Sequence, residues 1–259
     1  MIECVINISE GRDLDLIEEI ALAAGNDLLD VHCDPDHNRS VLTVIGVAAP
    51  PAIIRAAVQR LDLRSHAGVH PRIGVVDVVP FVPLEGSTFD DALAARDATA
   101  WWIADELRVP VFLYGPERTL PDVRRDAFTT IRPDFGPPEP HLTAGAVAVG
   151  ARNPLLAWNL WLSSADLEQA KALATSVRGP CVRALGLQVG DQVQVSMNLI
   201  DPLQVGPAEV YDIVASSAKI ERAELVGLIP RAVLETVEPK RWEQLNLSIE
   251  TTIEYRLDR

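Results

Sequence analysis

The segment Ser65-His66-Ala67-Gly68-Val69-His70-Pro71-Arg72 sets two histidines and an arginine close together, punctuated by glycine and proline, and runs into the apolar stretch Ile73 to Leu84. An imidazole changes charge near neutral pH, so it can take up a proton and return it within one reaction cycle. A guanidinium offers a planar fork of donors matched to a carboxylate. His70 precedes Pro71, which biases its backbone toward extended conformations and away from helix. Asp77 lies inside the apolar run Val75 to Val79, where a carboxylate is costly to bury alone, so it must have a partner, structural or catalytic. The same residue types also fit plain loop histidines bonded to backbone, and types alone do not separate His66 from His70.

Two further segments carry polar chemistry. His32-Cys33-Asp34-Pro35-Asp36-His37-Asn38-Arg39 holds enough ligand types for a divalent metal, but its spacing matches no metal motif. It reads as a polar connection between two strands, in which Asn38 and Arg39 could hold a carboxylate. The stretch from Gly136 to Gly145 contains Gly136, Pro137, His141 and Thr143 and leads through an apolar run to Arg152. It lacks the spacing of a phosphate-binding or dinucleotide loop, and its composition alone is that of a linker.

Composition limits the partners. A net charge of −14 opposes binding to nucleic acid, which needs a basic face, and makes a small anionic substrate dependent on a local basic pocket. Lysine occurs only at Lys171, Lys219 and Lys240, so nearly all the positive charge is arginine, as arginine-biased codon usage would give. No apolar run approaches the roughly 18 residues of a membrane span, and the N-terminus lacks a signal-peptide pattern. A cytoplasmic protein that binds no membrane is the expectation. The cysteines Cys4, Cys33 and Cys181 are odd in number and far apart, which fits free thiols, and no Cys-x-x-Cys occurs. No metal is expected.

The elements that must position these residues follow from patterning. Ile2 to Ile8 reads as a strand entering a turn at Ser-Glu-Gly-Arg, and a helix follows from the Asp13 cap to Gly25-Asn26. Leu28 to Cys33 and Ser40 to Gly46 read as paired strands, Pro50 to Leu61 as a helix and Ile73 to Val79 as a strand. A helix from Asp90 to Leu107 and a strand from Val111 to Tyr114 extend the unit, and the proline-rich stretch from Gly115 to Pro140 is the linker candidate. The second half repeats the order. Leu155 to Leu162 is a strand, Ala165 to Val177 a helix, and Val182 to Gln188 with Val193 to Leu199 a hairpin around Gly190-Asp191. Pro207 to Ala218 is a helix and Leu225 to Ile229 a strand. The reading is an α/β (α+β) protein of two ferredoxin-like β-α-β-β-α-β lobes, divided as residues 1–137 and 138–259, with a ligand cleft between them.

Several of these segments together are similar to the glutamate formimidoyltransferase family, the transferase part of formiminotransferase–cyclodeaminase and its stand-alone bacterial relatives. They are Glu-Cys-Val-Ile-Asn-Ile-Ser-Glu-Gly-Arg, Leu-Leu-Asp-Val-His with the following Asn-Arg, His-Ala-Gly-Val-His-Pro-Arg-Ile-Gly-Val-Val-Asp-Val-Val-Pro-Phe-Val-Pro, Pro-Asp-Phe-Gly-Pro, Gly-Ala-Arg, Ser-Met-Asn-Leu-Ile-Asp and Leu-Val-Gly-Leu-Ile-Pro. The motifs run in family order from residue 3 to about residue 230. The resemblance implies transfer of a formimino group from N-formimino-L-glutamate to tetrahydrofolate as co-substrate, within histidine and one-carbon metabolism, and a homodimer. His70 matches the family's catalytic histidine, and Gly136 to Gly145 aligns with its folate-contacting loop. Asn38, Arg39, Arg72, Asp77 and Arg152 join that loop as expected substrate or folate contacts.

Two positions depart from the family pattern. Val69 stands where the family usually has Glu, and His32 where it usually has Asp. The chain is also shorter before Arg132-Pro133-Asp134 and after Arg178. These departures motivate two other readings, a folate-dependent one-carbon or amidine transferase with a different donor and a non-catalytic ferredoxin-like binding module.

Overall fold

The computed structural model describes residues 1–68 and 72–259, which form two compact units, Met1–Asn153 and Pro154–Arg259. In the first unit the chain runs β1 (Ile2–Ile8), α1 (Leu14–Leu22), β2 (Leu28–Asp34), β3 (Arg39–Ile45), α2 (Ala49–Arg60), β4 (Val76–Pro83), α3 (Phe89–Glu106), β5 (Val111–Tyr114), α4 (Leu120–Asp126) and β6 (Val147–Ala151). Its sheet has the order β2-β3-β1-β4-β6-β5. The first four strands pair antiparallel as a split βαβ arrangement, while β6 joins β4 and β5 in parallel. This is the expected ferredoxin-like unit with two strands added at one side.

Local chemistry accounts for the elements. Asp13 caps α1 by accepting from the Leu16 amide, and Thr88 with Asp91 forms a reciprocal capping box on α3. Ile20 and Ala21 of α1, Ile53, Ile54 and Ala57 of α2, and Ala92, Ala100 and Ile103 of α3 are buried. With Ile6, Leu42, Val79 and Phe81 of the strands they form the main core on one face of the sheet. On the other face α4 contributes Val123 to a smaller cluster with Val78, Phe112, Tyr114 and Ala148, where Phe112 and Phe128 meet edge to face.

The second unit repeats the plan with β7 (Leu156–Leu162), α5 (Leu167–Val177), β8 (Val182–Val189), β9 (Gln192–Leu199), α6 (Pro207–Ala215) and β10 (Ile220–Val226), in the sheet order β10-β7-β9-β8. Gly190-Asp191 is the two-residue hairpin loop, closed by Val189 opposite Gln192, and Gly190 adopts the positive φ such loops need. Leu156, Trp158, Leu160 and Leu162 alternate inward onto α5 and α6. The C-terminal stretch carries α7 (Arg231–Glu235) and α8 (Ile253–Leu257) and adds Leu245 and Leu247 to this core. There the Trp158 indole donates to the Leu245 carbonyl.

Four expectations change. The division falls between Asn153 and Pro154 rather than after residue 137, because β6 pairs in parallel with β4 and β5 and binds its segment to the first sheet. The stretch from Gly115 to Pro140 is correspondingly not a linker. It contains α4 and bridges back to β5 at Phe135 opposite Val111. β4 begins and ends later than Ile73 to Val79, because Pro80 is accommodated within the strand. The β1–β4 ladder pairs Cys4 with Phe81 and resumes at Asn7 with Val78, breaking across the proline. β10 ends where Gly227 takes a positive φ, so the apolar residues after it are buried outside the strand.

Gly150 on β6 lies under the Tyr114 ring, where a Cβ would overlap the aromatic carbons. Gly150→Ala should therefore destabilise the protein by about 1–3 kcal/mol, and much less in a Tyr114→Ala background. Urea unfolding of the four variants measures the coupling, and strictly additive losses would contradict it.

Candidate functional site

The antiparallel and parallel pairings place the C-terminal ends of β1 and β2 and the N-terminal ends of β3, β4 and β6 at one end of the first sheet. Four polar segments meet there, Ser9 to Asp13, Asp34 to Arg39, Leu63 to Gly68 and His141 to Ala146, together with the Arg72 to Asp77 entry to β4. Backbone hydrogen bonds fix the arrangement. The Ser9 amide donates to the Val75 carbonyl at 2.8 Å, and its hydroxyl to the Gly74 carbonyl at 2.8 Å. From the other side the Val75 amide donates to Ala144 at 3.0 Å, and the Ala146 amide to Ile73 at 2.9 Å. The Leu63 amide donates to the Thr143 carbonyl at 2.8 Å, so the segment leading to His66 is tied to the same loop.

Glycines permit these close approaches. A Cβ on Gly11 would overlap the Asp34 carbonyl oxygen and the Arg39 amide, and one on Gly74 the Ala146 carbonyl oxygen. Gly145 has φ +71, and its added Cβ would overlap the Ile73 carbonyl oxygen.

The β2–β3 connection is braced by internal hydrogen bonds. The buried His37 ring nitrogen Nδ1 bonds the Asp34 carboxylate, whose other oxygen accepts the Asp36 and His37 amides at 3.0 and 2.8 Å. Burial acts to raise the Asp34 carboxyl, but the His37 ring and amide bonds outweigh it and hold the group below its ordinary value. Asn38, buried with φ +49, joins three segments through one amide. Its Oδ1 accepts the Gly11 amide at 2.9 Å, and its Nδ2 donates to the Ala67 carbonyl at 3.0 Å and lies 3.3 Å from His66 Nδ1. Arg39 opens β3 opposite Asp34. Arg72 reaches across to the same connection, its Nη2 being 3.5 Å from the His37 carbonyl oxygen. Partial burial lowers the Arg72 guanidinium from its ordinary value, and Asp77 opposes that.

Asp77 has the partners its burial requires. One oxygen accepts the Ile73 amide at 2.7 Å and the other the Arg124 guanidinium of α4 at 2.5 Å. His141 Nδ1 accepts the Thr143 and Ala144 amides at 3.3 and 3.1 Å, and the His141 and Gly145 backbones bond reciprocally, so His141 closes its own loop.

Of the residues expected at the site, Asn38, Arg39, Arg72, Asp77, His141, Thr143 and Gly145 thus gather at one sheet end. Gly136 and Pro137 lie at the same end but beyond β6, where Gly136 packs on Val109 and Ala104 beside β5. Arg152 follows β6 at the opposite end, about 20 Å from Gly145 along the strand at a rise of about 3.3 Å per residue. Val69, His70 and Pro71 lie outside the described residues. Sequence reasoning missed Ser9 and Gly11, whose signal was the Ser-Glu-Gly-Arg turn. It also missed Arg124, which pairs across 47 positions with no local pattern.

Gly11→Ala should lower stability by about 1–3 kcal/mol, because only backbone faces the added methyl, and a loss indistinguishable from zero in urea unfolding would contradict that packing. The Asp34 network carries a pH signature. A carboxyl depressed in the fold contributes stability that is full above its unfolded value, about 3.9, and lost as pH falls through the lower folded value. The stability gap between wild type and Asp34→Asn should therefore narrow as the pH drops below about 4. A gap constant down to acid unfolding would refute it.

The chain is similar to known proteins. Residues 1–152 match the family described as Formiminotransferase domain, N-terminal subdomain. The chain is 34% identical to the glutamate formimidoyltransferase of Thermoplasma acidophilum over 95% of this chain and 93% of that one. It is 31% identical to the glutamate formimidoyltransferase of Streptococcus pyogenes serotype M1 over 92% of each. It is also 34% identical to the formimidoyltransferase-cyclodeaminase of Rattus norvegicus, of whose length it spans 51%. With a family match over more than half its length and such identities over nearly all of it, this chain belongs to the glutamate formimidoyltransferase family.

Proposed function

We propose that the protein transfers the formimino group of N-formimino-L-glutamate to N5 of tetrahydrofolate, with His70 as the proton shuttle. The observation that carries this reading is identity over nearly the full length of two glutamate formimidoyltransferases, in a chain that has His70 between Gly68 and Arg72. The reaction explains the residue type. Folate N5 attacks the amidine carbon and must lose its proton, and the C–N bond to glutamate then breaks as the departing nitrogen gains one. One imidazole titrating near neutrality serves both steps, as base and then as acid.

Arg39 and Arg72 are assigned to substrate carboxylates, as bidentate guanidinium recognition suits. Gly136, Pro137, His141, Thr143 and Gly145 are assigned to folate, and Arg152, at the opposite end of β6, is not. Asp77 acts by holding the Arg72 to Val76 entry. We assign residues 154–259 as the C-terminal subdomain, and a cytoplasmic homodimer as the working form. No described helix is long and apolar enough to cross a membrane.

Val69 and His32 favour a second reading, the same folate chemistry with another amidine donor. Both are tested by incubating the protein with tetrahydrofolate and formiminoglutamate and following absorbance as the formimino-folate cyclises to the methenyl form. Turnover should appear and fall by about 100-fold or more in His70→Ala. Folate binding without turnover would select the second reading, and an undiminished rate in His70→Ala would overturn the proton-shuttle role.

A further inference from the structure

Each sheet ends in two edge strands, and among the described residues three of these four edges are closed. β2 carries Asp30, His32 and Asp34 and shifts register between Leu28 and Asp30. β5 is four residues long and is covered by the next segment, since the Asp134 amide donates to the Val111 carbonyl and the Val111 amide to the Phe135 carbonyl. β10 carries Glu221, Arg222 and Glu224, shifts register after Ile220, and gives its Leu225 amide to Asn246. Such charges, bulges and covers keep an edge from pairing with another chain. β8 has little of this. It runs eight residues in unbroken register with β9, Arg183 is its one charged residue, and Leu185 in its middle is 53% exposed.

The ladder shows which backbone groups this edge leaves open. The Ile200 amide donates to the Cys181 carbonyl, so Cys181 and every second residue after it turn their backbone groups toward β9. Those of Val182, Ala184, Gly186 and Gln188 therefore face outward. Val182 is bonded both ways to Gly179, and the Ala184 carbonyl accepts Arg178 Nε at 2.8 Å. The Ala184 amide and both backbone groups of Gly186 and Gln188 have no partner among the described residues. The Gln188 side chain donates to the Gly190 and Gln192 carbonyls of its own hairpin and does not cover them.

We propose that β8 is the seam of a homodimer, pairing antiparallel with β8 of a second copy about a two-fold axis at Gly186. This register sets Gly186 opposite its own image and Ala184 opposite Gln188 of the second copy. Every open group is then used, the Val182 bonds to Gly179 stay intact, and the Ala184 carbonyl has a second lone pair for the new bond. Leu185 meets Leu187 of the second copy on both sides of the axis, and Arg183 meets Val189, so no like charges are opposed. The strand is complementary to itself, which selects a second copy as the occupant over an unrelated strand. The inference rests on the homodimeric working form and is independent of the reaction.

Sedimentation of the wild type at micromolar concentration should give about twice the 28.2 kDa mass of the chain. Leu185→Lys with Leu187→Lys opposes like charges across the seam and should raise the dimer dissociation constant about tenfold or more. Leu185→Lys with Leu187→Glu opposes unlike charges and should restore association. A monomeric wild type overturns the homodimer and the seam together. A dimer unmoved by the two lysines overturns the seam alone, and a Lys/Glu variant as weak as the Lys/Lys one overturns the Gly186 register. Should the lysine variants fail to fold, cysteines decide, because residues facing each other at such a pair have Cα atoms about 4.5 Å apart, within disulfide reach. An equal mixture of Leu185→Cys and Leu187→Cys proteins should cross-link between chains on mild oxidation, well beyond either alone. Cross-linking no greater than that of the wild type would refute the pairing.

Discussion

The arrangement depends on the way the three residues Ile73, Gly74 and Val75 are clamped before β4 begins. Ser9 holds them from the β1 side and Ala144 to Ala146 from the β6 side, entirely through backbone and one hydroxyl. Gly74 is required because the Ala146 carbonyl occupies the space of its side chain. The chain enters this clamp after Arg72, so the approach to β4 is anchored to two strands of the sheet. Backbone bonds between rigid elements hold such a loop more precisely than side chains on a free loop could.

Around the clamp the buried carboxylates are answered by partners. His37 answers Asp34, and Arg124 answers Asp77, whose other oxygen is taken by a backbone amide. The Arg72 guanidinium lies against the His37 carbonyl of the hairpin, and the Arg12 side chain donates to the Pro35 carbonyl.

Much of this was legible in the sequence where the signal is local. β1 and β5 fall where their β-branched and aromatic runs place them, and the Asp13 cap and the Gly190-Asp191 turn behave as their residue types require. β6 escaped because all five of its residues are buried, so it shows no alternation and follows a proline-rich stretch that reads as a linker. The site shows the same division. The burial argument gave Asp77 a partner but could not name Arg124, and the residue types in the β2–β3 connection did not reveal that His37 and Asp34 bond each other. The residue type of Asn38 suggests a polar contact but not its positive φ or its bonds to Gly11 and Ala67, 27 and 29 positions away. Such roles depend on contacts between distant segments, which no periodicity records.

The account's central claim is that folate chemistry takes place at this end of the first sheet. Adding 5-formyltetrahydrofolate, a stable relative of the co-substrate, to isotope-labelled protein would map the site through backbone amide shifts. The account predicts saturable changes concentrated at Asn38, Ala67, Arg72, Thr143 and Gly145. Changes confined to the opposite end of the sheet, around Pro83 and Trp102, with these five amides unmoved would contradict it.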